Sequence, residues 1–198
     1  PLRAPVLALL TLVLAGVGQS WAGNRYVRAG ASGAGTGANW TDALTALPGE
    51  LIPGETYYVA SGSYGGQYVS RTVNNSTMIY VKKATVADHG PSTGWSDSYA
   101  SGQAVWSVPS GATPPWTTCW NIATGYIEFD GVTGSGTSGH GFKIVGYHGI
   151  PAVVKVNNGY TANALTFKHV EMSATSYGGG SATRIFWNAS NSFSDHTF

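Results

Sequence analysis

The chain has 198 residues, a one-domain length able to bury a substantial core, and ten basic against nine acidic residues leave it at +1. Charged residues are only 10% of the total, so neither a polyanion groove nor an acidic tail stands out, and nucleic acid is not an expected partner. Gly 28, Trp 7 and Tyr 11 describe a turn-rich β protein rather than a helical bundle.

Residues 1–22 read as a secretory signal peptide: Arg3, the apolar run Val6 to Val17, then the small-x-small triplet Ser20-Trp21-Ala22. The run is shorter than the roughly 20 residues that a bilayer requires. Cleavage after Ala22 is expected, with the product secreted or at the cell surface, in a periplasmic or extracellular setting. Cys119 is the only cysteine, so no internal disulfide is available, and its setting "TTCWNI" is that of a small buried hydrophobe.

A short extended run, Tyr26-Val27, leads into Gly33-Ala34-Gly35-Thr36-Gly37. The spacing is G-x-G-x-G rather than G-x-G-x-x-G, and no Lys-Ser/Thr follows, so a phosphate cradle is not indicated. In "NWTDALTALPGELIPGE" the apolar residues Trp40, Ala43, Leu44 and Leu47 have the spacing of one helical face. The expectation is a helix capped by Asn39 or Thr41 and ended by Pro48-Gly49.

Beyond it the chain reads as short strands punctuated by glycine. Three segments share a pattern: Ile79-Tyr80-Val81-Lys82-Lys83-Ala84, Ile127-Glu128-Phe129-Asp130-Gly131-Val132 and Leu165-Thr166-Phe167-Lys168-His169-Val170. Period-2 alternation turns the first and third residues inward, and the chain bends before the last. Further strands are expected at "ETYYVA", "QAVWSV", "HGFKIVG" and "PAVVKV". Such repeats must stack on one another to bury their apolar faces, which favours a solenoid over an antiparallel sandwich. A sandwich would favour two-residue hairpin turns, and Asp130-Gly131 lies inside the repeated pattern.

"NRYVRAGASGAGTGANWTDALTALPGELIPGETYYVASGSYGG" resembles the N-terminal segment of secreted right-handed parallel β-helix proteins of the pectin-lyase-like superfamily, and "YIEFDGVTGSGTSGHGFKI" and "NALTFKHVEMS" resemble its coils. The likeness covers nearly all of residues 24–198. It implies an all-β fold, a right-handed parallel β-helix (solenoid) in which the helix near Trp40 to Leu47 caps the first coil. The expected organisation is a signal peptide at 1–22, an arm and capping helix at 23–56, and the first coils of the β-helix at 57–198. The chain is expected to be an N-terminal portion of a longer β-helix, truncated at its C-terminus and without a complete active site.

Aligning the three repeats puts Lys82, Asp130 and Lys168 at one outward place and Tyr80, Glu128 and Thr166 at another. If the coils of Asp130 and Lys168 are adjacent, the two lie about 5 Å apart, which suits a carboxylate and a cation acting on an acidic sugar, or a simple ion pair. The resemblance implies a polysaccharide along such a face. In the superfamily's lyases aspartates hold Ca2+ against a uronate and an Arg or Lys acts as base; its hydrolases use paired acids. Asp130, Lys168 and Glu128 are the catalytic candidates on that footing, although Asp42, Asp88, Asp97, Asp130 and Asp195 are scattered and calcium is suggested by resemblance only. Trp95, Tyr99 and Trp116 lie on an insertion whose aromatics either cover the core beneath the loop or stack on sugar rings, and His140 and His148 lie in loops where a sugar could bind. No histidine spacing suggests a metal site. The functional expectation is an exported carbohydrate-active protein, a lyase, a glycoside hydrolase or a glycan binder. The alternative is a non-enzymatic surface, adhesin or scaffold module.

Overall fold

The computed structural model describes residues 23–108, 118–132, 139–147, 152–156, 163–175 and 184–188. The expected signal peptide, Trp116, His148 and the chain beyond residue 188 lie outside them. In chain order the strands are β1 (Asn24–Val27), β2 (Glu50–Leu51), β3 (Thr56–Val59), β4 (Gly62–Tyr64), β5 (Gln67–Arg71), β6 (Ile79–Lys83) and β7 (Ala104–Ser107). They continue as β8 (Thr118–Ile122), β9 (Ile127–Asp130), β10 (Phe142–Tyr147), β11 (Ala152–Val156), β12 (Leu165–Lys168), β13 (Val170–Thr175) and β14 (Arg184–Asn188).

Every strand pairing is parallel, and the pairings form three sheets: β1-β3-β6-β9-β12, β4-β7-β10-β13 and β2-β5-β8-β11-β14. From β3 onward the chain visits the first, second and third sheet in turn, then begins again one strand further along. The molecule is therefore all-β, with stacked parallel strands wound in successive coils, consistent with a parallel β-helix. The repeats align in register as their sequences suggest: Tyr80 opposite Glu128 opposite Thr166, and Lys82 opposite Asp130 opposite Lys168.

The coils stack because each contributes large apolar side chains at the same inward places. Tyr57, Val81, Phe129 and Phe167 form one such column on the first sheet. Aromatic rings cross the interior between sheets, with Trp106–Trp120 at 4.9 Å and Trp120–Phe129 at 4.8 Å between centroids, while Phe129 stacks on Phe167 within the first sheet at 5.1 Å. Cys119 is fully buried, and burial pushes its thiol up to about 12, which makes it the inert hydrophobe its sequence setting suggests. Tyr126 and Ala164, which precede equivalent strands of the first sheet, both sit at positive φ, 55° and 50°. The chain turns onto β9 and β12 through a left-handed residue.

The expected capping helix is not there; the only helical turn among the described residues is the short 3-10 segment Asp97–Tyr99. Residues 37–48 are turns whose backbone bonds go outward instead of along a helix. Leu44 exchanges bonds with β1, its N–H to the Tyr26 carbonyl and its carbonyl to the Arg28 N–H, both 2.8 Å, while Trp40 N–H reaches the Thr93 carbonyl at 3.1 Å. Asn39 does accept the Asp42 N–H at 2.9 Å, but the cap is followed by no helix. The apolar spacing has another cause. Leu44 and Leu47 pack on the core inside the coils, whereas Trp40 and Ala43 pack outside them, in a second cluster with Tyr26, Tyr58, Ala60 and Ala84.

That second cluster covers the outer face of the first two strands of the first sheet. Tyr26 and Tyr58 stack at 5.7 Å, and Trp40, Trp95 and Tyr99 close over them. The glycine-rich loop serves this cover. Gly30, Gly35 and Gly37 adopt positive φ, a Cβ on Gly33 would overlap the Thr41 carbonyl, and the Ala34 N–H is satisfied by the Asp42 carboxylate at 2.9 Å.

Lys83 occupies an inward place directly beside Val59 and is only 1% exposed. Its ammonium donates to the carbonyls of Ala84 (2.9 Å), Tyr99 (3.1 Å) and Ala100 (3.3 Å), tying the 84–103 insertion to the coil. Burial lowers its pKa from 10.5 to about 8.

Two outcomes follow from this packing. Phe129→Ala or Phe167→Ala should cost about 3 to 5 kcal/mol in chemical denaturation, and Lys82→Ala or Thr166→Ala within about 1 kcal/mol; the reverse order would invert the assigned faces. The folded chain releases the Lys83 proton at a lower pH than the unfolded chain, so unfolded molecules bind more protons and stability rises with pH. Between about pH 7.5 and 9.5 the wild type should gain at most about 2 kcal/mol over Lys83→Met, and parallel pH profiles would contradict the assignment.

Candidate functional site

Where the aromatic cover ends, the outer face of the first sheet opens. Period-2 alternation on β6, β9 and β12 sends Tyr80, Lys82, Glu128, Asp130, Thr166 and Lys168 to that face, and the register lines them into two columns. A groove of about 320 Å³ lies there, lined by Thr56, Tyr58, Tyr80, Lys82, Glu128 and Asp130. Tyr80 is 41% exposed and, with the Tyr58 ring, gives the groove aromatic surface beside its polar groups.

Polar side-chain pairs cross the boundaries between coils. Lys168 Nζ donates to Glu128 Oε2 at 2.8 Å, and His169 Nδ1 lies 2.7 Å from Asp130 Oδ1. Asp130 Oδ1 also accepts the Val132 N–H at 3.0 Å. Lys82 pairs with Asp88 and lies 5.9 Å from the Tyr58 ring centre. These contacts set the charges. The hydrogen bond to Glu128 raises the Lys168 pKa, the bond from Lys82 holds the Asp88 carboxyl low, and burial, with Asp88 nearby, pushes Tyr58 up to about 12.

Asp130 and Lys168 are register partners, as the alignment of repeats suggests, but the bonds run diagonally: Lys168 reaches Glu128, and Asp130 takes His169 from the corner of the next coil. That corner is tight. His169 has φ 52°, and a Cβ on Gly131 would overlap the His169 carbonyl oxygen. Gly131 thus allows the close approach that seats His169 on Asp130.

The remaining candidates lie elsewhere. Trp95 stacks on His89 at 4.0 Å and donates its indole N–H to Asp97, and Tyr99 meets Trp95 edge-on with Arg28 5.2 Å away over its ring. Both rings belong to the cover rather than to the open groove. His140 lines a smaller depression of about 220 Å³ with Gln103 and Gly139, at the start of the second sheet, and its ring lies 6.2 Å from that of His169. Sequence reasoning passed over Tyr58, Tyr80 and His169 as site residues. The aligned repeats carried the signal for Tyr80, directly opposite Glu128, and for His169, one residue after Lys168.

The residues present do not fit calcium. Among the described residues no group of three or more His, Cys, Asp or Glu converges on one point. Glu128 and Asp130 each spend an oxygen on a neighbouring cationic or imidazole group, where Ca2+ asks for several free carboxylates. Among the described residues no helix is long and apolar enough to cross a membrane.

Glu128→Gln should move the Lys168 titration midpoint down toward that of an ordinary lysine, read by NMR of the side-chain ammonium, with stability changed by less than about 1 kcal/mol. An unchanged midpoint would mean that the pair does not persist in solution. No family model, curated protein or solved structure matches the chain.

Proposed function

We propose that the protein is an exported, carbohydrate-binding parallel β-helix of the pectin-lyase-like superfamily, and that the outer face of its first sheet holds an extracellular polysaccharide. The observation that carries this reading is the open groove around Tyr80, continued across successive coils by the Glu128–Lys168 and Asp130–His169 pairs. A linear polymer laid across the strands meets an equivalent polar place about every 4.8 Å. Aromatic surface beside convergent polar groups suits a sugar ring, which has an apolar face and a hydroxylated edge. The superfamily rests on the likeness of the lead-in and coil segments, and the three-sheet winding agrees with it. A right-handed winding is the expected hand of parallel crossovers.

Glu128 and Asp130, two residues apart on one strand, are the pair that would serve acid–base cleavage. Each is already engaged across a coil boundary, which favours a surface, adhesin or scaffold role over catalysis. Incubation with insoluble plant and microbial polysaccharides should deplete the protein from solution without releasing reducing ends or unsaturated sugars. Turnover that disappears in Asp130→Asn would make it an enzyme. Failure to bind any polysaccharide would overturn the reading.

A further inference from the structure

Resting on that reading, we propose that the face takes a neutral, hydroxyl-rich polysaccharide rather than an acidic one, with Tyr80 as the stacking platform. Lys82 is committed to Asp88 and Lys168 to Glu128, while His169 lies against Asp130. Among the described residues two lysines thus meet three carboxylates, so this part of the face carries one net negative charge with His169 neutral and none with it protonated.

An acidic polymer would have to draw Lys168 or Lys82 away from its partner. That would leave Glu128 or Asp88 unpaired beside the polymer's own carboxylates, an arrangement of like charges that costs more than it gains. A neutral sugar leaves every pair in place. Among the described residues, Lys168 takes only Oε2 of Glu128, and both bonds to Asp130 fall on Oδ1. Glu128 Oε1 and Asp130 Oδ2 remain as acceptors for sugar hydroxyls, two residues apart along β9. Tyr80, directly opposite Glu128 in the register and 41% exposed, offers its ring to the apolar face of the same sugar.

The test is affinity electrophoresis of the whole chain in native gels containing β-1,3-glucan, β-1,4-glucan, xylan, mannan, galactan or arabinan, or else polygalacturonate or alginate, each at low and at about 0.3 M salt. Retardation by a neutral polymer, unchanged by salt, is expected. Tyr80→Ala should weaken it roughly fivefold or more, Glu128→Gln should weaken it too, and Tyr68→Ala, an exposed tyrosine on the third sheet, should leave it alone. Retardation confined to the acidic polymers and abolished by salt would overturn the inference while leaving the glycan-binding reading standing. Neutral binding indifferent to both Tyr80→Ala and Glu128→Gln would also overturn it, by placing the site elsewhere. Retardation by no polymer would overturn the glycan-binding reading, and the inference with it.

Discussion

The structure depends on one constraint: each strand finds its backbone partners only in the equivalent strand of the next coil, in parallel and in register. A parallel ladder fixes which side chains stack, because a slip of one residue would exchange inner and outer faces. Large apolar residues must therefore recur at inward places, and Val81, Phe129 and Phe167 do so on the first sheet. The same rule governs the outside. Like charges directly above one another repel, and the outward column Lys82, Asp130, Lys168 alternates in sign.

Insertions are tolerated only at the corners, where the ladder is already interrupted. The corner between first and second sheets is a single residue, His169, in one coil and the long segment 84–103 in another. That long segment buries Trp95 and Tyr99 against Trp40 and the Tyr26–Tyr58 stack, and Lys83 holds it down by three carbonyl bonds from inside the coil. The outer face of the first sheet is thereby divided. Its first strands lie under an aromatic cover, and the strands from β6 onward present Tyr80 and the charged columns to solvent.

Much of this was legible in the sequence. The repeats beginning at Ile79, Ile127 and Leu165 align by eye to the register found, because stacking demands the same residue character at the same place in each coil. Residues 40–47 misled for a physical reason. Their segment threads between two apolar clusters on opposite sides, and alternate delivery of Trp40 and Ala43 outward and Leu44 and Leu47 inward imitates the periodicity of a helix facing one core. The diagonal ion pairs were not legible, since spacing gives the register but not the reach of a lysine or the turn that carries His169 back to Asp130. That Trp95 and Tyr99 cover apolar surface was legible, but not which surface, since Trp40 and the Tyr26–Tyr58 stack beneath them are distant in sequence.

The in-register stacking of the coils is tested most directly by disulfide trapping across β9 and β12. Facing residues on neighbouring parallel strands have Cα atoms about 5 Å apart, within disulfide range, whereas a two-residue offset puts them about 8 Å apart, beyond it. The variant carrying Glu128→Cys and Thr166→Cys should cross-link readily under mild oxidation, with Cys119 buried and unreactive. The variant carrying Asp130→Cys and Thr166→Cys should not. Cross-linking of the offset pair in preference to the facing pair would contradict the register on which the columns, the groove and the ion pairs all depend.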